Sequence, residues 1–77
     1  MAEPIIALVR EVFELGDDLS LEDSSGAGTV PGWDSLGTLK LVTAAEERFG
    51  VEFDLEDIAE LNTVADLRRV VEKNSAG

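Results

Sequence analysis

The stretch GWDSLGTLKLVTAAEERFG, residues 32–50, decides the fold. Asp34 and Ser35 are residue types that cap a helix start. Behind them Leu36, Leu39, Val42, Ala45 and Phe49 recur at steps of three and four. That spacing predicts a helix with one buried stripe, running from Asp34 or Ser35 to about Phe49. Gly50 then supplies the left-handed residue that closes it. In this reading Leu36 begins the stripe, anchors the first turn and fixes where Ser35 points.

Upstream, Pro4 suits the first turn of a helix, where its missing N–H would be unpaired anyway. Ile5, Val9, Val12 and Phe13 form one apolar stripe, so a helix is expected over residues 4–15 with Gly16 as its stop. Residues 16–33 are rich in Gly, Ser, Asp and Pro and carry no helical period. They predict a long loop, tacked to the core by Leu19, Leu21 and Val30. Downstream, Asp54-Leu-Glu-Asp57 reads as a cap opening a short helix that ends near Glu60. Thr63-Val-Ala-Asp66 repeats the pattern, so a last helix begins at Asn62 or Thr63. Val64, Leu67, Val70 and Val71 face inward on it, and Arg68, Arg69 and Lys73 sit toward its C-terminal half, favourable to the dipole. No stretch alternates apolar and polar residues long enough for a strand. The expected fold is all-α: one domain over residues 1–77, a small bundle of three long helices and a short one, with a long first loop.

Composition limits the chemistry. The 77 residues include no cysteine, histidine or tyrosine, which removes thiolate chemistry, disulfides and the commonest general base and metal ligand. An enzyme acting alone and a resident metal site are therefore not expected. Seventeen Asp and Glu against six Lys and Arg give a net charge of −11. A charge of that size favours a soluble monomer, repels nucleic acid and anionic membranes, and steers the chain toward basic partners. Clusters such as Asp17-Asp18 and Glu52-Asp54-Glu56-Asp57 should repel one another at low salt. Disorder is disfavoured, because 44% of the residues are hydrophobic and periodically placed. Met1-Ala-Glu-Pro has no basic region and no apolar run reaches membrane-spanning length, so the expected location is cytoplasmic without membrane insertion.

What chemistry remains centres on Ser35. A serine in the first turn of a helix is exposed and backed by unpaired backbone N–H groups. A phosphate attached there would sit at the positive end of the helix dipole. Asp34 beside it can hold a divalent cation while a phosphate-containing group is transferred. The plainer reading is that Asp34-Ser35 is only a helix cap.

The wider pattern bears on that choice. Asp34-Ser35-Leu36, Leu39-Lys40-Leu41-Val42, Ala45-Glu46-Glu47, Phe49-Gly50-Val51 and Phe53 resemble the second helix and following turn of the acyl carrier protein family. Asn62-Thr63-Val64-Ala65-Asp66-Leu67 resembles the opening of that family's last helix. The resemblance implies that a separate phosphopantetheinyl transferase moves 4′-phosphopantetheine from coenzyme A onto Ser35. Asp34 and Leu36 flank that attachment point. The arm's thiol then carries an acyl group as a thioester, in fatty-acid, polyketide or other specialised biosynthesis, and the chain itself is not an enzyme. The missing cysteine and histidine fit, because the sulfur arrives with the cofactor and the chemistry belongs to the partners. Those partners would be acyl- or aminoacyl-loading and processing enzymes with basic docking patches. By the same resemblance Glu46 and Glu47 match acidic positions of the recognition helix, with Trp33, Leu39, Lys40 and Leu61 as further contact candidates.

Gly37 and Lys40 depart from the family pattern, standing at positions that are acidic in typical fatty-acid carriers. With Trp33, they point toward an aminoacyl, D-alanyl or peptidyl carrier as the alternative. Trp33 also reads as a plug pinning the loop, and Leu61 as core. A reading from another class is an acidic helical interaction module without a prosthetic group, in which Ser35 is an ordinary cap.

Overall fold

The computed structural model describes residues 4–16 and 18–75, so Met1-Ala2-Glu3, Asp17 and the last two residues, with the readings placed on them, lie outside the described residues. Four helices follow in order: α1 Pro4–Val12, α2 Ser35–Phe49, α3 Leu55–Ala59 and α4 Val64–Ser75. Among the described residues the only ladder-like pairing is one isolated bridge between Gly26 and Thr63. The all-α expectation and the one short helix match this order.

Helix α1 buries Ile5, Leu8 and Val9, while Val12 and Phe13 are half-buried. It stops short of the predicted Leu15. Glu14 adopts a φ of 53°, and the Leu15 N–H donates to the Arg10 carbonyl at 2.9 Å while the Glu14 N–H reaches that of Glu11 at 3.4 Å. This is the double bond pattern of a left-handed helix stop, with a glutamate where glycine is usual. Gly16 does not supply the stop. Closing two residues earlier turns Leu15 onto the core.

The boundaries of α2 agree with the sequence; its inward face does not. Asp34 caps the start and Gly50, at φ 65°, ends the helix, its N–H donating to the Glu46 carbonyl. The buried positions are Gly37, Leu41, Val42 and Ala45. Leu36 and Leu39, expected in the stripe, are 64% and 52% exposed, and Phe49 is half-buried. Gly37 causes the rotation. A Cβ there would stand 2.1 Å from the Gly32 carbonyl oxygen and 2.9 Å from Phe13 Cε1, so only a glycine lets the first turn lie this close to the loop.

The core fills from all sides. Leu8 and Val9 of α1, Leu41 of α2 and Val64 and Leu67 of α4 have no appreciable exposure, and Val30, Trp33, Val51 and Leu61 join them from the connections. Helix α1 packs on α2 and α4, and α2 also touches α3 and α4.

The loop between α1 and α2 is more than a tether. Of the residues expected to tack it down, Leu21 and Val30 reach the core, and Leu19 is half-buried. A helix start leaves four N–H groups without intrahelical partners. In α4 the Val64 N–H donates to the Ser25 carbonyl at 2.8 Å and the Ala65 N–H to that of Asp23 at 3.0 Å. The Asp66 N–H donates to Thr63 Oγ1 at 3.2 Å, and Asp66 Oδ2 accepts from the Thr63 N–H at 3.1 Å. Arg68 adds an ion pair to Asp23. The loop thus caps the last helix, and Gly26 makes the approach possible: a Cβ there would lie 1.9 Å from the Asn62 carbonyl oxygen.

Candidate functional site

The start of α2 is assembled from the loop outward. Val30-Pro31-Gly32-Trp33 forms a turn closed by the Trp33 N–H donating to the Val30 carbonyl at 3.1 Å, with Gly32 at φ 90°. Proline then glycine at the two central positions is the signature of a type II turn. That turn aims the Gly32 carbonyl at Gly37 and sends Trp33 inward. Trp33 is 3% exposed and stacks on Phe13 with ring centroids 5.7 Å apart, forming a platform beneath the first turn. Its Nε1 has no hydrogen-bond partner among the described residues. This burial is what the plug reading of Trp33 expects, and it leaves the indole little surface for a partner.

Asp34 follows in extended geometry. Its Oδ1 accepts from the Gly37 N–H at 2.8 Å, and its carbonyl accepts from the Thr38 N–H at 2.8 Å. The N–H groups of Ser35 and Leu36 have no partner among the described residues, and both side chains are exposed. Ser35 therefore presents its hydroxyl to solvent beside two unpaired donors at the positive end of a 15-residue helix. Leu36 does not anchor the turn; Trp33, Phe13 and Gly37 do so from the other side.

A cleft of about 240 Å³ opens beside Ser35, lined also by Thr38, Ile58, Ala59, Leu61 and Asn62. Leu61 is 2% exposed, so its side chain packs in the core, as its core reading expects, and only edges the cleft. The far wall, α3, is five residues long and cannot stand alone. A capping box between Asp54 and Asp57 closes its start, and Asp57, itself buried, takes the Lys73 Nζ at 2.6 Å. The Lys73 hydrogen bond holds the Asp57 carboxyl below the usual carboxylate range, against the opposing effect of burial. Asp57 in turn raises Lys73. The Asn74 side chain adds a bond to the Glu52 carbonyl at 2.7 Å.

Among the remaining candidates, Glu46 is committed within the fold: its Oε2 accepts from the Phe53 N–H at 3.0 Å and helps position the turn before α3. Leu39, Lys40 and Glu47 are exposed on α2. The sequence reading missed the type II turn, which Pro31-Gly32 signals, and the close approach at Gly37. It also missed the Asp57–Lys73 pair, for which no local signal exists.

Comparison with known proteins agrees with this geometry. A family model described as "Phosphopantetheine attachment site" matches residues 3–71. A chloroplastic acyl carrier protein 1 from Casuarina glauca is 34% identical over 71 residues, covering 92% of this chain and 52% of that protein. The chain thus spans about half the length of this curated relative. The solution structure of a holo acyl carrier protein from Geobacter metallireducens superposes with a TM-score of 0.79 at 30% identity, over 91% of this chain and 79% of the other.

The chain therefore belongs to the phosphopantetheine-attachment family, in its acyl carrier protein form. Its prosthetic group is 4′-phosphopantetheine, and carriers of this family are generally non-catalytic proteins that meet a transferase and partner enzymes. The residues present fit that group: an exposed hydroxyl, two unpaired N–H donors suited to a phosphate, and an adjoining cleft of mixed polarity. Among the described residues no helix is long and apolar enough to cross a membrane.

Proposed function

We propose that Ser35 is the attachment point and that the chain serves as an acyl carrier. The observation that carries the reading is the exposure of Ser35 at the capped start of α2, beside the unpaired N–H groups of Ser35 and Leu36. In the loading step the Ser35 oxygen forms a bond to phosphorus as the bond to the nucleotide part of coenzyme A breaks. The hydroxyl proton leaves to a base on the transferase. When bound, the arm supplies a terminal thiol on which an acyl group rides as a thioester. Asp34 holds the first turn through Gly37 and places a carboxyl group next to the transfer point, of the type that suits a magnesium ion bound in the transferase complex. Thr38 and Asn62 line the cleft with polar groups.

An acyl rather than an aminoacyl cargo is supported by the names of both similar proteins. It is also supported by the loss of two departures. Gly37 is accounted for by its contact with Gly32, and Trp33 by its burial, so neither speaks for an aminoacyl carrier. Work in fatty-acid, polyketide or related biosynthesis, as one cytoplasmic domain over residues 1–77, belongs to the same reading. Incubation with coenzyme A, magnesium and a broad-specificity phosphopantetheinyl transferase should add one arm by intact mass, and Ser35→Ala should abolish the addition. A wild-type chain left unmodified by several such transferases would mean Ser35 is only a cap.

A further inference from the structure

Six side chains carry positive charge, and the fold ties up all but one of them. Arg10 donates to the Gly16 carbonyl at 2.8 Å; Arg48, Arg68 and Arg69 pair with Glu11, Asp23 and Asp66, and Lys73 pairs with Asp57. Lys40 has no ion-pair or hydrogen-bond partner among the described residues, and it is exposed. The difference between the two lysines matters chemically, because an amine attacks a thioester only in its unprotonated form. Asp57 takes the Lys73 Nζ at 2.6 Å and favours its charged form. With no cysteine, histidine or tyrosine in the chain, Lys40 is the side chain best able to accept an acyl group. It follows Ser35 on α2 by a rise of about 7.5 Å, which an extended pantetheine arm outreaches. Leu36 and Leu39, both more than half exposed, line one shallow groove with Lys40, so an apolar acyl chain has a seat beside the amine.

We propose that Lys40 is a self-acylation site, whose Nζ takes the acyl group from the chain's own thioester and keeps it as an amide. The proposal rests on Ser35 carrying the arm. Once the Lys40 ammonium has given a proton to solvent, Nζ attacks the thioester carbonyl carbon. A C–N bond forms, the C–S bond breaks, and a second amine proton passes through solvent to the departing sulfur. The products are an acyl-lysine and a free thiol; nothing is oxidised or reduced, and no other reactant is consumed. Tethering favours the step, since a short flexible linker gives an effective concentration on the order of 1 mM, about a hundredfold above a chain at about 10 µM. Cargo left waiting on the arm is thereby moved to α2, and Lys40 loses its charge.

The test loads the full chain from butyryl-coenzyme A with a phosphopantetheinyl transferase, removes both, and incubates the product alone in mildly alkaline buffer. Hydroxylamine then strips thioesters and leaves amides, so intact mass reads the transfer and fragmentation locates it. Wild type should keep a hydroxylamine-resistant butyryl group on Lys40, and Lys40→Arg should lose it. At about 10 µM, transfer within one chain should run about a hundredfold faster than transfer from loaded Lys40→Arg to an unloaded wild-type chain. A thioester that never becomes an amide, an amide on Lys73 or the α-amine instead of Lys40, or equal rates within and between chains overturns the proposal. A second arm needs no attached arm: the unloaded chain is exposed to millimolar butyryl-coenzyme A without transferase. Lys40 should be acylated ahead of Lys73, and Asp57→Asn should narrow the gap. Equal labelling of the two lysines in wild type overturns the proposal here as well. If no arm can be added to Ser35 while Lys40 still reacts first with the soluble thioester, the attachment reading fails and the proposed transfer within one chain falls with it.

Discussion

Replacing Gly37 with alanine sets two physical effects against each other. Inside a helix alanine is favoured over glycine by about 1 kcal/mol, so propensity alone makes Gly37→Ala stabilising. The packing opposes it. The new Cβ would stand 2.1 Å from the Gly32 carbonyl oxygen and 2.9 Å from Phe13 Cε1. An unstrained contact needs about 3.5 Å, so one side must retreat by more than an ångström. Phe13 can turn only by giving up its stack on Trp33, and Gly32 is held by its turn at φ 90°. Overpacking costs about 1–3 kcal/mol in general, and a backbone opponent places this case toward the upper end. The net expectation is a loss of about 1–2 kcal/mol.

At about 4–8 °C per kcal/mol for a domain of this size, the melting temperature should fall by roughly 5–15 °C. Thermal melts followed by circular dichroism, with urea midpoints as a cross-check, measure it. Thr43→Ala, at an exposed position of the same helix, is the control in which propensity acts without the clash and should not lower stability. The rate of arm addition to Ser35 should fall as well, since the displaced turn carries that residue. A melting temperature for Gly37→Ala equal to or above wild type would refute the reasoning, and with it the claim that this contact sets the rotation of α2.

Three further outcomes follow from named contacts. Glu14→Gly should stabilise the chain by about 1 kcal/mol, because Glu14 closes α1 at a φ of 53° that glycine adopts without a Cβ penalty; unchanged urea midpoints would contradict this. The Asp57 carboxyl is held below its ordinary value by Lys73, so its contribution is present above about pH 4 and is lost as pH falls through the lowered folded value. Asp57→Asn should therefore be less stable near neutrality and show a flatter acid limb in urea midpoints taken from pH 7 to 2, whereas parallel curves would count against the pair. Leu36→Ser and Leu39→Ser should leave the melting temperature within a degree or two, as befits exposed positions, while a large fall would restore them to the core.

The sequence carried the local part of this structure. Caps at Asp34, Asp54 and Thr63 and the stop at Gly50 were legible because each is written within four residues, and the helix starts fall where those signals stand. The stop of α1 was not, since a glutamate occupies the left-handed position and no propensity rule selects it. The inward face of α2 was misread for a related reason. Two leucines outweigh a glycine in any count of apolar positions, yet Gly37 is buried and Leu36 and Leu39 are not. What orients the helix is space at one point, and space depends on Gly32 and Phe13, five and twenty-four residues away. Ser35 was legible as an attachment candidate from Asp-Ser-Leu at a helix start. Its docking neighbours were less so: Trp33 and Leu61 are buried, Glu46 is bonded, and only Leu39, Lys40 and Glu47 stay on the surface.

Two of the segments that line the cleft beside Ser35 are positioned by the same loop. On one side Gly32 lies against Gly37 and fixes the first turn of α2, which carries Ser35 and Thr38. On the other, Gly26 lies against Asn62, and the Asp23 and Ser25 carbonyls cap the start of α4, next to the Leu61 and Asn62 that line the cleft. Each contact is a glycine approaching backbone, and neither tolerates a Cβ without movement. At these two points the cleft is framed by loop backbone, while α3 completes it with Ile58 and Ala59 and is held through Asp57 and Lys73. The long connection therefore has a structural role that its composition hides. It needs no helical period because its carbonyls serve two other helices, and its glycines serve two close approaches. The loop thus holds both the first turn of α2, which carries Ser35, and the Asn62 segment across from it, by backbone contact.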